Sequence, residues 1–495
     1  MARQASWRAF ALLAALLLAC VAGCHAELKV TELEHKVDAT GTGTFLVVGD
    51  WYRLENAGDG AESSFVACRE GRGRVTAVIG VLNRDAEDLV KQGLTGYENT
   101  AGWLPTKPWE PPAERARAGL VCRTVELPRP VKPGGKASVR VIWTVSDALE
   151  ALPKQISVHE VPKFTAEDST VPPSPYVVVK LKTHVSLPSG PESRSEAHFK
   201  KGIEGELHYE VKDEIAPWSR EPFDAHFEFP SPGLVRAGRI VREISVSHWG
   251  EVQTSEWVDL VNVGPPLVGE FSRLDLGANA DRPGAGAASV GVTAVVPGTA
   301  YNFYFRDEIG NVSSSSVTPY AQGDGYVAAI QLRYRFPLMG GWATRFNFGY
   351  ALDLGEVVSK LSTGPQRYGV SVPLGTPIRA VEVGEMETRV VLPEGAAVVE
   401  ATTVLATGML GGVSQEADVK YTYLDTVGRP VVVLRVRDLH PDLTAVPINI
   451  TYDLPPATLL REPLVLSAAV LVVGLLAIGI GRTSLSLAPK GGKAD

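Results

Sequence analysis

The residue types that carry out catalysis are present in this 495-residue chain, but their spacing matches none of the common catalytic motifs. Nine histidines are scattered, and none lies four residues from another, as a helical HExxH zinc site requires. A G-x-S-x-G nucleophile turn, a G-x-G-x-x-G loop, a Walker A loop and a C-x-x-C pair are also missing. We therefore expect no catalytic residues, no metal ligands and no bound cofactor.

Two short polar segments are the nearest approach to an active site. Arg306-Asp307-Glu308 could bind a metal ion or act as general acid and base. Consecutive residues of a strand point to opposite faces, however, and Gly310-Asn311 marks a turn, so a solvated hairpin tip is the better interpretation. His248-Trp249-Gly250 could supply a catalytic histidine; we favour a strand end with Trp249 buried at a domain junction.

Asparagine and cysteine residues point to covalent modification. Asn311 lies in a sequon within a serine-rich turn and is the better acceptor for an N-glycan, whereas the sequon at Asn449 lies in a strand near the membrane. Cys68 and Cys122 remain after removal of the leader and could pair in an oxidising compartment. The sequence does not decide between a disulfide and two free thiols.

Composition indicates a folded protein rather than a nucleic-acid binder. The chain has 48 basic and 56 acidic residues and a formal charge of −8, whereas nucleic-acid binding needs a net basic face. Hydrophobic residues make up 45% and charged residues 21%, which is typical of globular domains. The 49 glycines and 35 prolines favour many short strands joined by turns.

The first 26 residues have the pattern of a secretory signal peptide. Arg3 and Arg8 precede an apolar run, and small residues lead to a cleavage site after Ala26. A bacterial lipoprotein signal ending at Cys24 is the alternative interpretation. In both cases most of the chain is exported from the cytosol.

The uncharged run from Leu464 to Gly481 predicts a transmembrane helix over residues 463–481. A helix of this length spans about 27 Å, enough for a thin bilayer. Basic residues follow it, so residues 482–495 are expected to form a short cytosolic tail of a single-pass, type I protein. A buried core helix and a GPI-anchor signal are the alternatives.

Small residues recur along one face of this predicted helix. They are Ser467, Gly474, Ala477 and Gly481. Because membrane helices associate through close packing of small residues, this face is expected to dock on another membrane helix. The alternative is that glycine is simply common in membrane helices.

Between the two ends, apolar residues recur with a period of two, as in a half-buried antiparallel sheet. Examples are the alternating faces of residues 139–145, 177–187 and 432–437. The expected fold is mainly β, with two tandem lumenal β-sandwich-like domains over residues 27–238 and 239–462, followed by one C-terminal transmembrane α-helix.

Several segments of the second half resemble the ribophorin I family and occur in that family's order, between about residues 240 and 470. They are Ile244–Gly250, Val258–Leu260, Gly269–Arg273, Phe305–Ser313, Arg335–Trp342, Leu392–Ala396, Tyr421–Pro430 and Arg461–Leu464. Over residues 27–240 the resemblance is weaker and rests on Ser174-Pro175-Tyr176 and the strand after it.

The resemblance implies a non-catalytic subunit of the oligosaccharyltransferase complex in the endoplasmic reticulum membrane. That complex moves an oligosaccharide from dolichyl diphosphate to Asn in N-x-Ser/Thr of nascent polypeptides, and a separate polytopic subunit does the chemistry. The implied partners are the other subunits, including that catalytic one, with nascent polypeptide and the translocon as further candidates. Longer family members continue into a helical cytosolic region, so a ribosome contact is in doubt for this chain.

Two other classes remain open on composition alone. A single-pass β-sandwich receptor or adhesion protein would share the same layout, and its passage through the Golgi would distinguish it. A degenerate peptidase accessory domain would need an accompanying metal-binding helical domain, of which the sequence has no motif.

Overall fold

The computed structural model of the chain describes residues 28–482 with short gaps. The gaps are residues 42–43, 83–102, 159, 195–199, 202–204, 230–233, 279–287, 323–324, 363, 365, 408–410 and 423–424. The predicted signal peptide and residues 483–495 of the predicted cytosolic tail lie outside the described residues.

Strands make up most of the first half of the described chain. They are β1 (Leu28–Asp38), β2 (Leu46–Asn56), β3 (Glu62–Glu70), β4 (Arg74–Leu82), β5 (Trp103–Leu104), β6 (Thr106–Trp109), β7 (Leu120–Val131), β8 (Lys136–Ser146), β9 (Leu149–Ala151), β10 (Lys163–Val171), β11 (Leu181–Ser186), β12 (Pro191–Arg194), β13 (Lys200–Lys201), β14 (Glu206–Val211) and β15 (Glu221–Glu228). These strands form an eight-stranded sheet of order β13-β14-β11-β1-β2-β8-β4-β5 and two smaller sheets, β3-β7-β6 and β12-β15-β10-β9. All three sheets contribute side chains to one apolar core, for example Val30, Phe65 and Phe164.

The second half is built in the same way from separate sheets. Its strands are β16 (Val235–Val246), β17 (Glu251–Asn262), β18 (Ser289–Pro297), β19 (Tyr301–Asp307), β20 (Ser316–Gln322), β21 (Gly325–Leu338), β22 (Ala343–Asp353), β23 (Val358–Lys360), β24 (Arg367–Pro373), β25 (Glu382–Val391), β26 (Ala397–Thr402), β27 (Val413–Lys420), β28 (Arg429–Leu439) and β29 (Pro447–Asp453). A seven-stranded sheet has the order β19-β22-β17-β16-β25-β28-β27, beside the sheets β18-β21-β20 and β23-β24-β29-β26. Strand β16 begins ahead of residue 239, the predicted start of the second domain.

Helices are few among the described residues. They are α1 (Arg273–Ala278), α2 (Leu354–Val357) and α3 (Arg461–Arg482), with 3₁₀ turns at Val404–Thr407, Pro441–Leu443 and Pro456–Leu460. Helix α3 is long and apolar enough to cross a membrane, and none of its residues is buried within the chain. The prediction of a mainly β fold with one C-terminal apolar helix is confirmed.

Two of the predicted alternating segments differ from the structure. Strand β8 is buried on both faces, because Trp143 packs into the first core while Ile142 packs into the core of the second half. Ahead of strand β11, Val178 is buried whereas Val177 and Val179 are only partly so. The predicted common face of residues 177–187 was therefore wrong before Leu181, where the alternation changes register.

Strands β16, β25 and β28 lie next to one another in the seven-stranded sheet. Strand β16 pairs in parallel with β25, and β25 pairs antiparallel with β28. The register places Arg236 beside Glu382 and Val383 beside Leu439, so the start of β16, the start of β25 and the end of β28 lie together. At about 3.3 Å per residue these strands extend over roughly 30 Å.

Candidate anchoring site at the base of the membrane helix

The segment Arg306-Asp307-Glu308 ends strand β19 and turns into a hairpin tip, as the sequence predicted. The Asp307 carboxylate accepts hydrogen bonds from the amides of Ile309 at 2.9 Å and Gly310 at 3.0 Å and forms an ion pair with Arg335. Burial alone would raise the pKa of Asp307, but the hydrogen bond from Arg335 and those from the amides lower it. The carboxylate is occupied in holding the turn.

Charged pairs inside the two cores are closed to any substrate. In the first half, His35 Nδ1 lies 2.6 Å from Asp50 Oδ1, and the Trp143 indole donates to Asp50 Oδ2 at 2.7 Å; all three side chains are buried. In the second half, Arg242 donates to Glu256 at 2.8 Å, and both are buried. The histidine and the tryptophan are both hydrogen-bonded to the aspartate inside the first core.

Trp249 does not have the environment that the sequence suggested. It lies in the tight turn between β16 and β17, and 65% of its surface is exposed, so the prediction of a buried tryptophan at a domain junction was wrong. Its neighbour His248 is half-buried, is hydrogen-bonded through Nε2 to the Tyr452 hydroxyl at 2.7 Å, and packs edge-on against Tyr368. Trp249 lines a small cleft that also includes Leu459 and Glu462, immediately before the apolar part of α3.

Arg429 connects the large sheet to the start of the membrane helix. Its guanidinium donates to Glu462 in the first turn of α3 and, at 3.1 Å, to Asp425 in the loop before β28. Asp425 in turn accepts a hydrogen bond from the Thr422 amide at 2.7 Å. Burial would raise the pKa of Asp425, but its hydrogen bonds with Thr422 and Arg429 lower it. Loop, strand and helix are thus held by one charged cluster.

Glu394 closes the same loop from the other side. One of its oxygens accepts hydrogen bonds from the amides of Thr426 and Val427, both at 2.6 Å, and from the Thr426 hydroxyl at 2.7 Å. These bonds lower the pKa of Glu394 although its burial acts to raise it. Gly395 has φ +79°, and a Cβ there would lie 2.7 Å from Thr458 Cγ2, so a side chain at this position would displace the turn that leads into α3.

A second polar cluster lies at the opposite end of the same three strands, where the two halves meet. Asp438 near the end of β28 accepts from Arg74 of the first half at 2.8 Å and from Arg236 of β16 at 3.0 Å. Ser146 of the first half donates to Glu382 at the start of β25. Burial raises the pKa of Glu382 against the opposing effect of that hydrogen bond.

His440 completes the contact between the halves. Its ring packs edge-on against Phe45 of the first half, with centroids 4.4 Å apart, and its Nδ1 accepts a hydrogen bond from the Asp442 amide at 3.2 Å. The histidine is buried, and burial lowers its pKa to about 3. It is therefore neutral at physiological pH.

The predicted modification sites lie apart from both clusters. Asn311 is exposed beside the β19 hairpin tip, where its side-chain oxygen accepts from Arg306 Nε at 3.0 Å. Asn449 lies in β29 with strands on both sides, and its side chain faces solvent. Cys68 and Cys122 are direct partners on β3 and β7, and the structure joins them as a disulfide with Cα atoms 4.1 Å apart.

The small residues predicted to form a packing face lie along one side of α3. Ser467, Gly474, Ala477 and Gly481 are spaced so that they fall within one helical face, and no described part of the chain covers them. A Cβ added at Gly474 or Gly481 would meet no heavy atom within 4 Å. A larger side chain at either glycine therefore causes no collision within the chain.

Within the described part of the chain, no group of three or more His, Cys, Asp or Glu residues is arranged to hold a metal ion. The residues at the base of α3 are one of the groups that this structure brings together from distant parts of the sequence. They come from four segments: the β16–β17 turn, the loop after β25, the loop before β28 with the first residue of β28, and the first turn of α3. Their contacts connect the sheets of the second half to the first turn of α3.

The family profile of ribophorin I matches residues 28–481, from the first described strand to the end of the membrane helix. The chain belongs to the ribophorin I family. Dolichyl-diphosphooligosaccharide–protein glycosyltransferase subunit 1A of Arabidopsis thaliana is 31% identical over 434 residues, covering 84% of this chain and 68% of the relative. Subunit 1B of that plant is 32% identical, covering 80% and 82%, and subunit 1 of Caenorhabditis elegans is 30% identical, covering 89% and 70%.

Two solved structures show a remote resemblance to this ribophorin I family member. A putative protease from Parabacteroides distasonis is 11% identical, with a TM-score of 0.23 over 45% of this chain and 40% of that one. Yeast LTA4 hydrolase is 8% identical, with a TM-score of 0.25 over 44% and 31%. Likenesses at this level carry no argument about function.

We call Trp249, Glu394, Arg429 and Glu462 the anchoring cluster. This cluster was not predicted from the sequence, although its residues lie in segments that carry the family resemblance. Trp249 belongs to Ile244–Gly250, Glu394 to Leu392–Ala396, and Arg429 to Tyr421–Pro430. Glu462 belongs to the segment that enters the membrane helix. Four segments far apart in sequence but shared with one family could have indicated a common site in the fold.

Proposed function

We propose that this chain is a non-catalytic subunit of the oligosaccharyltransferase complex of the endoplasmic reticulum membrane. In that role it supports transfer of the dolichyl-diphosphate-linked oligosaccharide to Asn in N-x-Ser/Thr of nascent polypeptides. The single observation that carries the proposal is the ribophorin I match over residues 28–481. The relatives, named as subunit 1 of the glycosyltransferase that uses this donor, support it over 80–89% of the chain.

A positioning role fits the way the charged residues of the structure are used. The carboxylates described above hold turns, join the two halves or bind the start of α3, and the buried pairs are closed to solvent. Transfer of an oligosaccharide from a lipid-linked donor needs a catalytic site at the membrane. Among the described residues, α3 is the one helix able to cross a membrane, and a single helix does not enclose such a site. In our proposal the catalytic site lies in a polytopic partner subunit.

The proposed topology places the bulk of the chain in the lumen and residues after Arg482 in the cytosol. Basic residues after the helix support this orientation. Lumenal exposure would allow glycosylation of Asn311 and Asn449 and oxidation of Cys68 and Cys122. A receptor or adhesion role has no support among the named relatives.

Affinity purification in a mild detergent, followed by mass spectrometry, tests the proposal. The tagged chain should recover a polytopic glycosyltransferase subunit, and the eluate should transfer oligosaccharide from a dolichol-linked donor to an acceptor peptide. The chain freed of its partners should transfer none. An unrelated single-pass membrane protein with the same tag is the control. Recovery of cell-surface partners without any glycosyltransferase subunit would contradict the proposal, and transfer by the isolated chain would contradict its non-catalytic part.

A further inference from the structure

Large apolar side chains are exposed around the base of α3. We call Trp249, Tyr421, Val427 and Leu460 the apolar rim; their exposed fractions are 65%, 67%, 54% and 55%. Exposure of aromatic and aliphatic surface to water is unfavourable, at roughly 25 cal/mol per Å². Clusters of such residues in a folded protein mark a contact with another phase or molecule.

Contacts place the apolar rim at the height of the first turn of α3. Trp249 lines the cleft that contains Glu462, and Val427 lies two residues before Arg429, which binds Glu462. Tyr421 packs beside Gly428, where an added Cβ would lie 3.0 Å from its ring. Leu460 immediately precedes the helix. The rim residues therefore come from the turn and loop segments that the anchoring cluster holds together.

The distance to the hydrocarbon is short. The uncharged run begins at Leu464, four residues after Leu460, which corresponds to about 6 Å along a helix. Each headgroup layer of a bilayer is about 5–8 Å thick. A rim fixed to the first turn of a membrane-spanning helix therefore lies at the depth of the headgroups.

We propose that the apolar rim inserts into the lumenal headgroup layer of the bilayer that α3 crosses. Tryptophan and tyrosine prefer this layer, because their rings are apolar while their N–H and O–H groups reach water or headgroups. Each of the nearby carboxylates has a partner: Glu462 and Asp425 bind Arg429, and Glu394 accepts from backbone amides. The lumenal sheets then rest on the membrane as well as being joined to it by one helix.

This proposal depends on α3 spanning a bilayer and not on the oligosaccharyltransferase assignment. We assign the lipid surface as the partner of the apolar rim because the rim adjoins α3, the membrane-spanning helix of the same chain. Ile309 provides a matched control: it is apolar and 82% exposed, but it lies at the opposite end of the seven-stranded sheet. Asp307, two residues before Ile309, pairs with Phe346 near the start of β22. Glu251, next to the Trp249 turn, pairs with Asp353 at the other end of β22.

Spin-label accessibility in the full chain tests the proposal. Trp249→Cys, Tyr421→Cys, Val427→Cys and the control Ile309→Cys are each labelled with a nitroxide and reconstituted in phosphatidylcholine nanodiscs. Oxygen concentrates in lipid, whereas a nickel chelate stays in water. We expect the ratio of oxygen to nickel accessibility to be several-fold higher at the three rim positions than at Ile309.

Two results would overturn the proposal. Equal ratios at the rim and control positions would place the rim in water. Protection from both reagents at the rim would show that protein covers it. Because the three rim positions belong to two separate segments, misfolding of one variant leaves the other measurements intact, and matching circular dichroism spectra of all four variants identify any that fails to fold.

Discussion

Acidification should weaken the contact between the two halves through His440. The histidine is buried against Phe45, and burial lowers its pKa to about 3, whereas an unfolded histidine titrates near 6.5. Its folded pKa is depressed, so the unfolded state binds the proton first and stability is lost as pH falls below about 6.5. From pH 7 to pH 5 the linkage amounts to about 2 kcal/mol, and the limiting slope is about 1.4 kcal/mol per pH unit.

The variant His440→Asn isolates this effect. Asparagine cannot gain a proton in this range, yet its side-chain oxygen can accept the Asp442 amide as the histidine nitrogen does. We would measure urea unfolding of both proteins in nanodiscs at pH 7 and pH 5 by tryptophan fluorescence. The variant is expected to be less stable at pH 7, because it loses the ring contact, but its stability should fall by about 2 kcal/mol less on acidification. Identical pH dependence in the two proteins would refute the reasoning.

Three further predictions concern the membrane helix and the two kinds of modification. The double variant Gly474→Leu/Gly481→Leu should reduce co-purification of partner subunits without affecting membrane insertion, whereas Val472→Leu on the opposite face should not reduce it. Equal recovery with both variants would assign the association to the β-sheet part of the chain. Endoglycosidase should increase the electrophoretic mobility of the protein, and Asn311→Gln should remove at least part of that shift; an unchanged mobility means the sequon is not used. Replacing both cysteines of the β3–β7 bridge by alanine should destabilise the first half by about 2–4 kcal/mol, measured as a lower urea midpoint, since the bridge closes a long loop; no change in midpoint would show that the thiols are free in the protein.

The strands were the part of the fold most accessible from sequence. In β28 the alternation of Val432, Leu434 and Val436 with Val433, Arg435 and Arg437 predicted a strand with one buried face. The strand is present, but Val433 on the predicted polar face is also buried, against Val391 and Val431. The order of strands in this sheet could not be predicted in the same way, because the parallel pairing of β16 with β25 joins segments separated by a long stretch of sequence. The spacing of apolar residues along a segment predicts that it forms a strand, whereas the choice of partner strand depends on the packing of the whole sheet.

The wrong prediction for Trp249 has a similar origin. A tryptophan at the end of an apolar strand is usually buried, and the local sequence does not show whether protein, water or lipid surrounds the turn. Arg429 and Glu462 were likewise separated in sequence by a loop and two strands, so their ion pair depends on how β29 returns beside the sheet before α3. The contacts of the anchoring cluster form only when distant segments pack together, so local sequence patterns did not predict them. The segments shared with the ribophorin I family were the sequence signal that included these residues.

The central strands connect the membrane helix to the first half of the chain. One end of β28 binds the membrane helix through Arg429, and the other binds the first half through Asp438, about 30 Å away. Hydrogen-bonded strands within a sheet resist stretching and bending, so a rotation at the base is carried to the far end. If the sheets moved with α3 as one body, a 10° change in helix tilt would displace the first half sideways by about 5 Å. A change in local bilayer thickness that altered this tilt would then shift the half of the chain farther from α3.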